Sequence, residues 1–121
     1  MKNNGEVGPV TSEKILAAYQ IGIFPMAESK KSNKVFWVRP EKRGIIPIRT
    51  LHISRTTKKF IKKNIIKTTT NTCFNEVVNK CSDRADTWIN KQLHDVYFDL
   101  YEKGHAFSVE VWINSKLVGG L

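Results

Sequence analysis

Residues 90–121 read NKQLHDVYFDLYEKGHAFSVEVWINSKLVGGL and contain consecutive signals for a helix, a strand, a turn and a second strand. Asn90 is a residue type that caps helix N-termini, and Gly104 is one that commonly ends helices. The apolar residues between them recur at helical spacing, which predicts one buried helix face. That face is expected to contain Leu93, Val96, Tyr97 and Leu100.

Apolar and polar residues alternate after this helix, a pattern typical of a half-buried strand. Asn114-Ser115 then predicts a tight turn, and Leu117-Val118 begins a returning strand. Helices combined with a β-hairpin predict an α+β fold. We interpret the chain as truncated, because it stops inside the returning strand and complete domains usually avoid a free apolar strand end. The alternating apolar residues are Phe107, Val109, Val111 and Ile113, and Ser108, Glu110 and Trp112 lie between them.

Upstream signals extend the same pattern through the chain. Ser54 and either Thr11 or Ser12 are expected to cap helices, and Pro47 leaves its segment at best an edge strand. The expected elements are a helix from about residue 12 to Gly22, a hydrophobic turn over 23–26, a strand over 35–38, an edge strand over 45–48, a helix over 54–64, a strand over 65–70 and a helix over 73–81.

The composition excludes several classes of protein. A chain of 121 residues suits one domain, and 40% hydrophobic with 26% charged residues excludes a disordered tail or a fibrous repeat. No apolar run approaches the roughly 20 residues of a membrane-spanning helix, and the first ten residues lack the apolar stretch of a secretory signal. Two cysteines form no disulfide framework. We therefore expect a soluble cytoplasmic protein.

The net charge of +9 is concentrated in one segment. No acidic residue lies between Glu41 and Glu76, whereas the rest of the chain balances its charges. A concentrated basic stretch favours a polyanionic partner, most often nucleic acid or an acidic membrane surface. The basic residues of this segment are Lys42, Arg43, Arg49, Arg55, Lys58, Lys59, Lys62, Lys63 and Lys67.

Five of these cations share one face of the predicted helix over 54–64. Phe60 and Ile61 lie on its other side, which we expect to dock against the fold. Like charges one turn apart repel, so a nucleic acid that neutralises the stripe is the favoured interpretation. A solvated surface helix is the alternative, and membrane binding is less favoured because the apolar side is short. The stripe consists of Arg55, Lys58, Lys59, Lys62 and Lys63.

No spacing of residues by itself names a reaction or a metal site. Cys73 and Cys81 are eight residues apart on a predicted helix, and the three histidines are scattered. Trp88 lies two residues before the helix cap at Asn90, so its ring is either covered by the fold or available to stack a base. Trp37 and Trp112 are expected to be core residues.

Five motifs occur in order along the chain: AAYQIGIFPMAE (17–28), FWVRPEKRGIIPI (36–48), LHISRTTKKFIKK (51–63), TWIN (87–90) and GHAFSVEVWINSKLVGGL (104–121). Together they resemble the leucyl/phenylalanyl-tRNA–protein transferases, and in particular the shorter alphaproteobacterial type. The resemblance runs from about residue 9 to the end. It implies a basic N-terminal α/β region over 1–70 and, over 71–121, the first strands of an acetyltransferase-like (GNAT) domain.

The resemblance implies an enzyme that moves Leu or Phe, and less readily Met, from aminoacyl-tRNA to the N-terminal Arg or Lys of acceptor proteins, marking them for N-degron degradation. It implies no cofactor and no metal, because the aminoacyl ester is already activated and the nucleophile is the acceptor's own amine. In the family, the Glu, Asp and Gln residues that orient the acceptor amine and assist proton transfer lie beyond the last of these five motifs. No catalytic residue is therefore expected in this chain, and a small basic RNA-binding module without catalysis is the alternative.

The resemblance also assigns site residues one by one. Trp88, Met26 and Leu121 match positions of the pocket for the 3′-terminal aminoacyl-adenosine, and Trp37 matches an aromatic position grouped with them. Arg39 departs from the Ser or acidic residue usual before its proline. The tRNA-binding residues would be Arg55, Lys59, Lys62 and Lys63.

Overall fold

Two small antiparallel sheets and four helices make up the part of the chain described by the computed structural model, residues 2–3 and 8–121, so the fold is α+β as predicted. The helices are α1 (Ser12–Gln20), α2 (Arg55–Lys62), α3 (Phe74–Ser82) and α4 (Lys91–Glu102). The strands are β1 (Lys2–Asn3), β2 (Phe24–Ala27), β3 (Val35–Val38), β4 (Ile66–Thr70), β5 (Val109–Ile113) and β6 (Lys116–Gly120).

The first sheet has the order β1-β3-β2 and carries the main core on one face. Helices α1 and α4 contact each other, and both contact β2. Burial of their apolar side chains provides the main driving force for this packing. The buried residues of this core are Val10, Ile15, Ala27, Val35, Leu93 and Leu100.

The second sheet has the order β4-β5-β6, and α3 contacts both β6 and α4. Asn114 and Ser115 join β5 to β6 with positive φ angles of 50° and 62°, so the predicted tight turn is confirmed. Positive φ at two central residues matches the twist of an antiparallel hairpin. The predicted strand over 65–70 and the returning strand are confirmed as β4 and β6.

Helix starts follow the predicted capping residues. The side chains of Thr11, Ser54 and Asn90 accept hydrogen bonds from backbone N–H groups three residues later, at 3.3, 3.1 and 2.9 Å. Each bond satisfies a donor that the helix itself leaves unpaired. Gly22 and Gly104 follow α1 and α4 with φ angles of 73° and 76°, a conformation that glycine adopts without strain.

The expectation of a turn over 23–26 is wrong, because Phe24–Ala27 is strand β2. Pro25 has no N–H to donate to a ladder. Strand β2 lies at the edge of its sheet, and the N–H of Ala27, two residues after Pro25, points away from β3 to the carbonyl of Trp88. Since backbone N–H groups alternate sides along a strand, the nitrogen of Pro25 also faces away from β3, and the missing donor costs no hydrogen bond to β3. An edge position thus permits a strand where a proline indicated a turn.

The edge strand expected over 45–48 is absent from the described residues. Instead, Ile48–Thr50 forms one turn of 3₁₀ helix, and its neighbours are exposed. Ile45, Ile46 and Ile48 are 82%, 74% and 92% exposed. Consecutive apolar residues with Pro47 among them resemble a strand in sequence, but no neighbouring strand pairs with them here.

Strand β5 is half-buried as expected, and at its start the buried residues are the polar ones. Ser108 and Glu110 are 1% and 0% exposed, whereas Phe107 and Val109 are 64% and 42% exposed. A period of two shows which residues share a face but not which face is buried. The polar face is buried here because its carboxylate is fully hydrogen-bonded.

Four hydrogen bonds hold the Glu110 carboxylate in the protein interior. It accepts from the hydroxyls of Ser108 and Thr69 and from the backbone N–H groups of Thr72 and Cys73. Burial by itself raises the pKa of Glu110, but these bonds outweigh burial and bring the pKa below the ordinary value of 4.5. The carboxylate therefore ties β4 and β5 to the start of α3.

Helix α2 does not dock its apolar side as expected. Phe60 and Ile61 are 40% and 53% exposed, and the helix contains no buried residue. The Ser54 cap starts the helix locally, and no side chain of the helix is buried. The correction leaves α2 as a surface element whose two sides are both accessible.

We expect Glu110→Gln to lower the free energy of unfolding by about 1–3 kcal/mol, because an amide cannot accept all four bonds. The folded-state pKa is lowered, so the stabilisation is complete above the ordinary pKa of 4.5 and is lost as the pH falls through the folded-state value. Urea unfolding at neutral pH and at about pH 3 measures this. The difference between wild type and variant should shrink in acid, and the exposed Glu102→Gln is the control. A difference that is independent of pH would contradict the assignment.

Candidate nucleic-acid interface

Helix α2 presents a stripe of five cations to solvent. Ser54 starts the helix by accepting from the N–H of Thr57 at 3.1 Å, and Lys63 is its C-cap. All five side chains are exposed, and none forms an ion pair among the residues that the structure describes. Their role in tRNA binding stays a prediction. The stripe comprises Arg55, Lys58, Lys59, Lys62 and Lys63.

The stripe belongs to a longer exposed segment. Every residue from Glu41 to Ile65 is exposed. Arg43 Nη2 donates to the carbonyl of Gly22 at 2.6 Å and ties the beginning of the segment to the turn after α1. Pairing of β4 with β5 fixes the other end. Because Glu76 is the next acid after Glu41, the positive potential of the segment is not offset locally.

Trp88 is partly buried against the main core. Its carbonyl accepts from the N–H of Ala27 at 2.9 Å, and its ring meets Tyr97 edge to face with centroids 6.4 Å apart. The hydroxyl of Tyr97 is hydrogen-bonded to that of Tyr19 at 3.1 Å, and burial raises the pKa of Tyr97. The indole is thus held in place by the fold while part of it stays accessible.

Asn90 has a second role that sequence reasoning missed. Its Nδ2 donates to the carbonyl of Ser32 at 2.8 Å, while its Oδ1 caps α4. This bond attaches the turn between β2 and β3 to the start of α4, two residues after Trp88. The two partners are 58 positions apart. A capping signal identifies Asn90 as a helix start but does not reveal a distant partner for its nitrogen.

Met26 and Trp37 lie on opposite faces of the first sheet. Directly paired residues of antiparallel strands point to the same side. Trp37 pairs with Pro25, and Met26 pairs with Phe36. Trp37 packs against the main core, so Met26 lies on the face away from it. Ala27, the residue after Met26, donates its N–H to the carbonyl of Trp88, which brings the Met26 backbone close to that of Trp88. The structure does not place Met26 and Trp37 on one face of the sheet.

Leu121 follows the second sheet and is 88% exposed. Its backbone exchanges two hydrogen bonds of 2.9 Å with Val109. Just before it, α3 and β6 enclose a groove of about 300 Å³. Leu121 therefore lies at the end of the second sheet, whereas Met26 lies in the first. That Leu121 shares a pocket with Trp88 stays a prediction. The groove is lined by Val77, Lys80, Cys81, Leu117, Val118, Gly119 and Gly120.

No three His, Cys, Asp or Glu side chains cluster as a metal site within residues 2–3 and 8–121. Cys73 and Cys81 are free thiols, and burial raises the pKa of Cys73, with added repulsion from Glu110 and Glu76. No helix in this part of the chain is long and apolar enough to cross a membrane. The groups that it does bring to the surface are the α2 cations and part of the Trp88 ring.

Two family models match the chain. The model of the leucyl/phenylalanyl-tRNA protein transferase N-terminal domain matches residues 8–41, and that of leucyl/phenylalanyl-tRNA protein transferase matches residues 45–121. Among curated proteins, the leucyl/phenylalanyl-tRNA–protein transferase of Rhizorhabdus wittichii is 43% identical and that of Rhodopseudomonas palustris 41% identical, each over 93% of this chain.

The chain spans about half of these relatives, 47% of the first and 50% of the second. The family models cover most of the exposed basic segment, Trp88 and every described strand except β1. Their order along the chain agrees with the five motifs read from the sequence. The chain belongs to the leucyl/phenylalanyl-tRNA–protein transferase family.

Proposed function

We propose that this chain is the tRNA-binding part of a cytoplasmic aminoacyltransferase. The whole enzyme moves Leu or Phe, and less well Met, from aminoacyl-tRNA to the N-terminal Arg or Lys of an acceptor protein, which marks that protein for N-degron degradation. The observation that carries the proposal is the joint match of both family models, together with 41–43% identity to two such transferases. The α2 stripe supports the RNA-binding part of it.

The reaction needs positioning rather than a nucleophile from the protein. The acceptor α-amine attacks the ester carbonyl carbon, a C–N bond forms, and the C–O bond to the ribose breaks. The ribose oxygen leaves and takes up a proton, and the amine loses one. Holding both substrates together supplies much of the rate in such a step. This chain holds the tRNA, and the groups that assist the amine belong to the remaining half of the enzyme.

The GNAT-like domain of this enzyme begins within the second sheet, after β4. We place the boundary at residue 70, between a basic region over 1–70 and a second region over 71–121. Strand β4 ends at that boundary and pairs with β5. The basic region is thus joined directly to the second region through this strand pairing. Such a connection suits an RNA-binding surface that must hold the end of its ligand at a fixed position in the active site.

Helix α2 binds the phosphate backbone of the tRNA. Its cations have no carboxylate partners among the described residues. A phosphate that binds them therefore breaks no ion pair of the protein and releases only bound counterions. Trp88 holds the terminal aminoacyl-adenosine, because an aromatic ring stacks any base. Met26 and Leu121 line that pocket in the whole enzyme, and Trp37, which lies on the opposite face of the first sheet from Met26, contributes through the core that Trp88 also contacts.

Replacing Trp88 separates the transferase from a simple RNA-binding module. We expect Trp88→Ala to weaken binding of leucyl-tRNA more than binding of uncharged tRNA, because only the charged form places an aminoacyl group at Trp88. Filter binding to both RNAs gives the ratio of the two affinities, which a partial loss of folded protein leaves unchanged. Trp112→Ala, whose indole N–H donates to Thr69 on the second sheet, is the matched control. An equal loss for both RNAs would favour the module without catalysis.

Salt titration tests the basic helix. We expect Lys59→Ala and Lys62→Ala each to reduce the slope of log affinity against log salt concentration by about one unit, the value for one lost phosphate contact. Lys91→Ala is the matched control and should leave the slope unchanged, because Asp95 already pairs with Lys91 at 2.6 Å. A slope that stays at the wild-type value in Lys59→Ala and Lys62→Ala would show that α2 is only a solvated surface.

A further inference from the structure

The turn between β2 and β3 carries a second group of cations that is separate from α2. Residues 29–40 contain no acidic residue. Lys30, Lys31 and Lys34, the hairpin lysines, are exposed, and none of them forms an ion pair among the residues that the structure describes. Their ammonium groups can therefore receive an anionic partner without breaking an existing pair.

Hydrogen bonds within the turn fix the positions of these lysines. The N–H of Glu28 donates to the carbonyl of Lys34 at 3.2 Å, and the N–H of Ser32 donates to the carbonyl of Ser29 at 3.2 Å. The Ser32 hydroxyl donates to the Glu28 carboxylate at 3.3 Å. The Glu28 carboxylate is therefore hydrogen-bonded to Ser32, and it forms no ion pair with the hairpin lysines among the described residues.

Two further contacts hold this turn beside Trp88. Asn90, which is 4% exposed, donates from Nδ2 to Ser32 at 2.8 Å. Ala27, the last residue of β2, donates to the carbonyl of Trp88 at 2.9 Å. Asn90 and Trp88 are two residues apart, a chain distance of at most about 7 Å. The hairpin that carries these lysines is therefore attached at Trp88 itself and two residues after it.

We propose that the hairpin lysines bind the phosphates of the unpaired nucleotides at the 3′ end of the tRNA. The inference rests on the proposed function, because that function places the terminal adenosine at Trp88. When bases of a single strand stack on an aromatic ring, neighbouring cations follow the backbone that joins them. The hairpin lysines occupy that place beside Trp88, and they form a phosphate-binding surface distinct from the α2 stripe.

A salt titration with two RNAs tests this. The first RNA is an intact tRNA, and the second is the same tRNA after removal of its unpaired 3′ nucleotides. In the triple variant Lys30→Ala, Lys31→Ala and Lys34→Ala, the slope of log affinity against log salt should fall by about 2 units with the intact tRNA, at about 0.7 unit per single-strand contact. With the trimmed tRNA the slope should match that of the wild type.

The matched control is the triple variant Lys14→Ala, Lys80→Ala and Lys116→Ala. It removes the same charge from exposed positions outside the turn and should change both RNAs by the same amount. All six lysines are exposed, and circular dichroism should show unchanged folding. A hairpin variant whose slope falls equally with both RNAs, or with neither, overturns the inference.

Trp88→Ala in the same assay separates this inference from the proposed function. If Trp88→Ala abolishes the preference for intact tRNA while the hairpin variant keeps the wild-type slope, the proposed function stands and the inference fails. If wild-type protein binds both RNAs equally, the pocket for the 3′ end is absent and both fail. The inference is supported when both variants reduce binding of the intact tRNA alone.

Discussion

The side-chain amide of Asn90 joins three parts of the molecule. Its oxygen caps α4, its nitrogen holds the β2–β3 turn through Ser32, and Trp88 lies two residues before it. Asn90 is 4% exposed, so loss of either bond would leave a buried polar group unsatisfied at a cost of about 1–3 kcal/mol. This amide therefore helps to fix the position of Trp88 relative to the first sheet. The geometry of the candidate site around Trp88 depends on it.

Some cations of the protein form ion pairs, and others have no acidic partner among the described residues. Lys103 pairs with Glu13 and Asp99 at 2.8 Å each, and Lys91 pairs with Asp95. The α2 stripe and the hairpin lysines have no such partners among the described residues. This arrangement argues for a polyanionic ligand more strongly than the net charge of +9, which alone indicates only solubility and general attraction.

Short-range sequence signals predicted most of the helices, strands and turns. The errors arise where the structure depends on contacts between residues far apart in the sequence. The caps at Ser54 and Asn90 and the turn at Asn114 depend on the chemistry of a few adjacent residues, which the sequence displays directly. The inward face of β5 depends on partners for Glu110 that lie about 40 residues away. The candidate site divides in the same way, because helical spacing revealed the α2 stripe, whereas the pairing of β2 with β3 placed Met26 and Trp37 on opposite faces.

Nuclear magnetic resonance can show whether Trp88 receives the aminoacyl end of a tRNA. The isotope-labelled chain is titrated with a non-hydrolysable phenylalanyl-adenosine analogue. We expect saturable shifts of the Trp88 indole N–H and the Met26 methyl, and no shift of the Trp112 indole N–H, which donates to Thr69 at 2.8 Å. An unchanged Trp88 signal, or equal shifts at Trp88 and Trp112, would contradict the account.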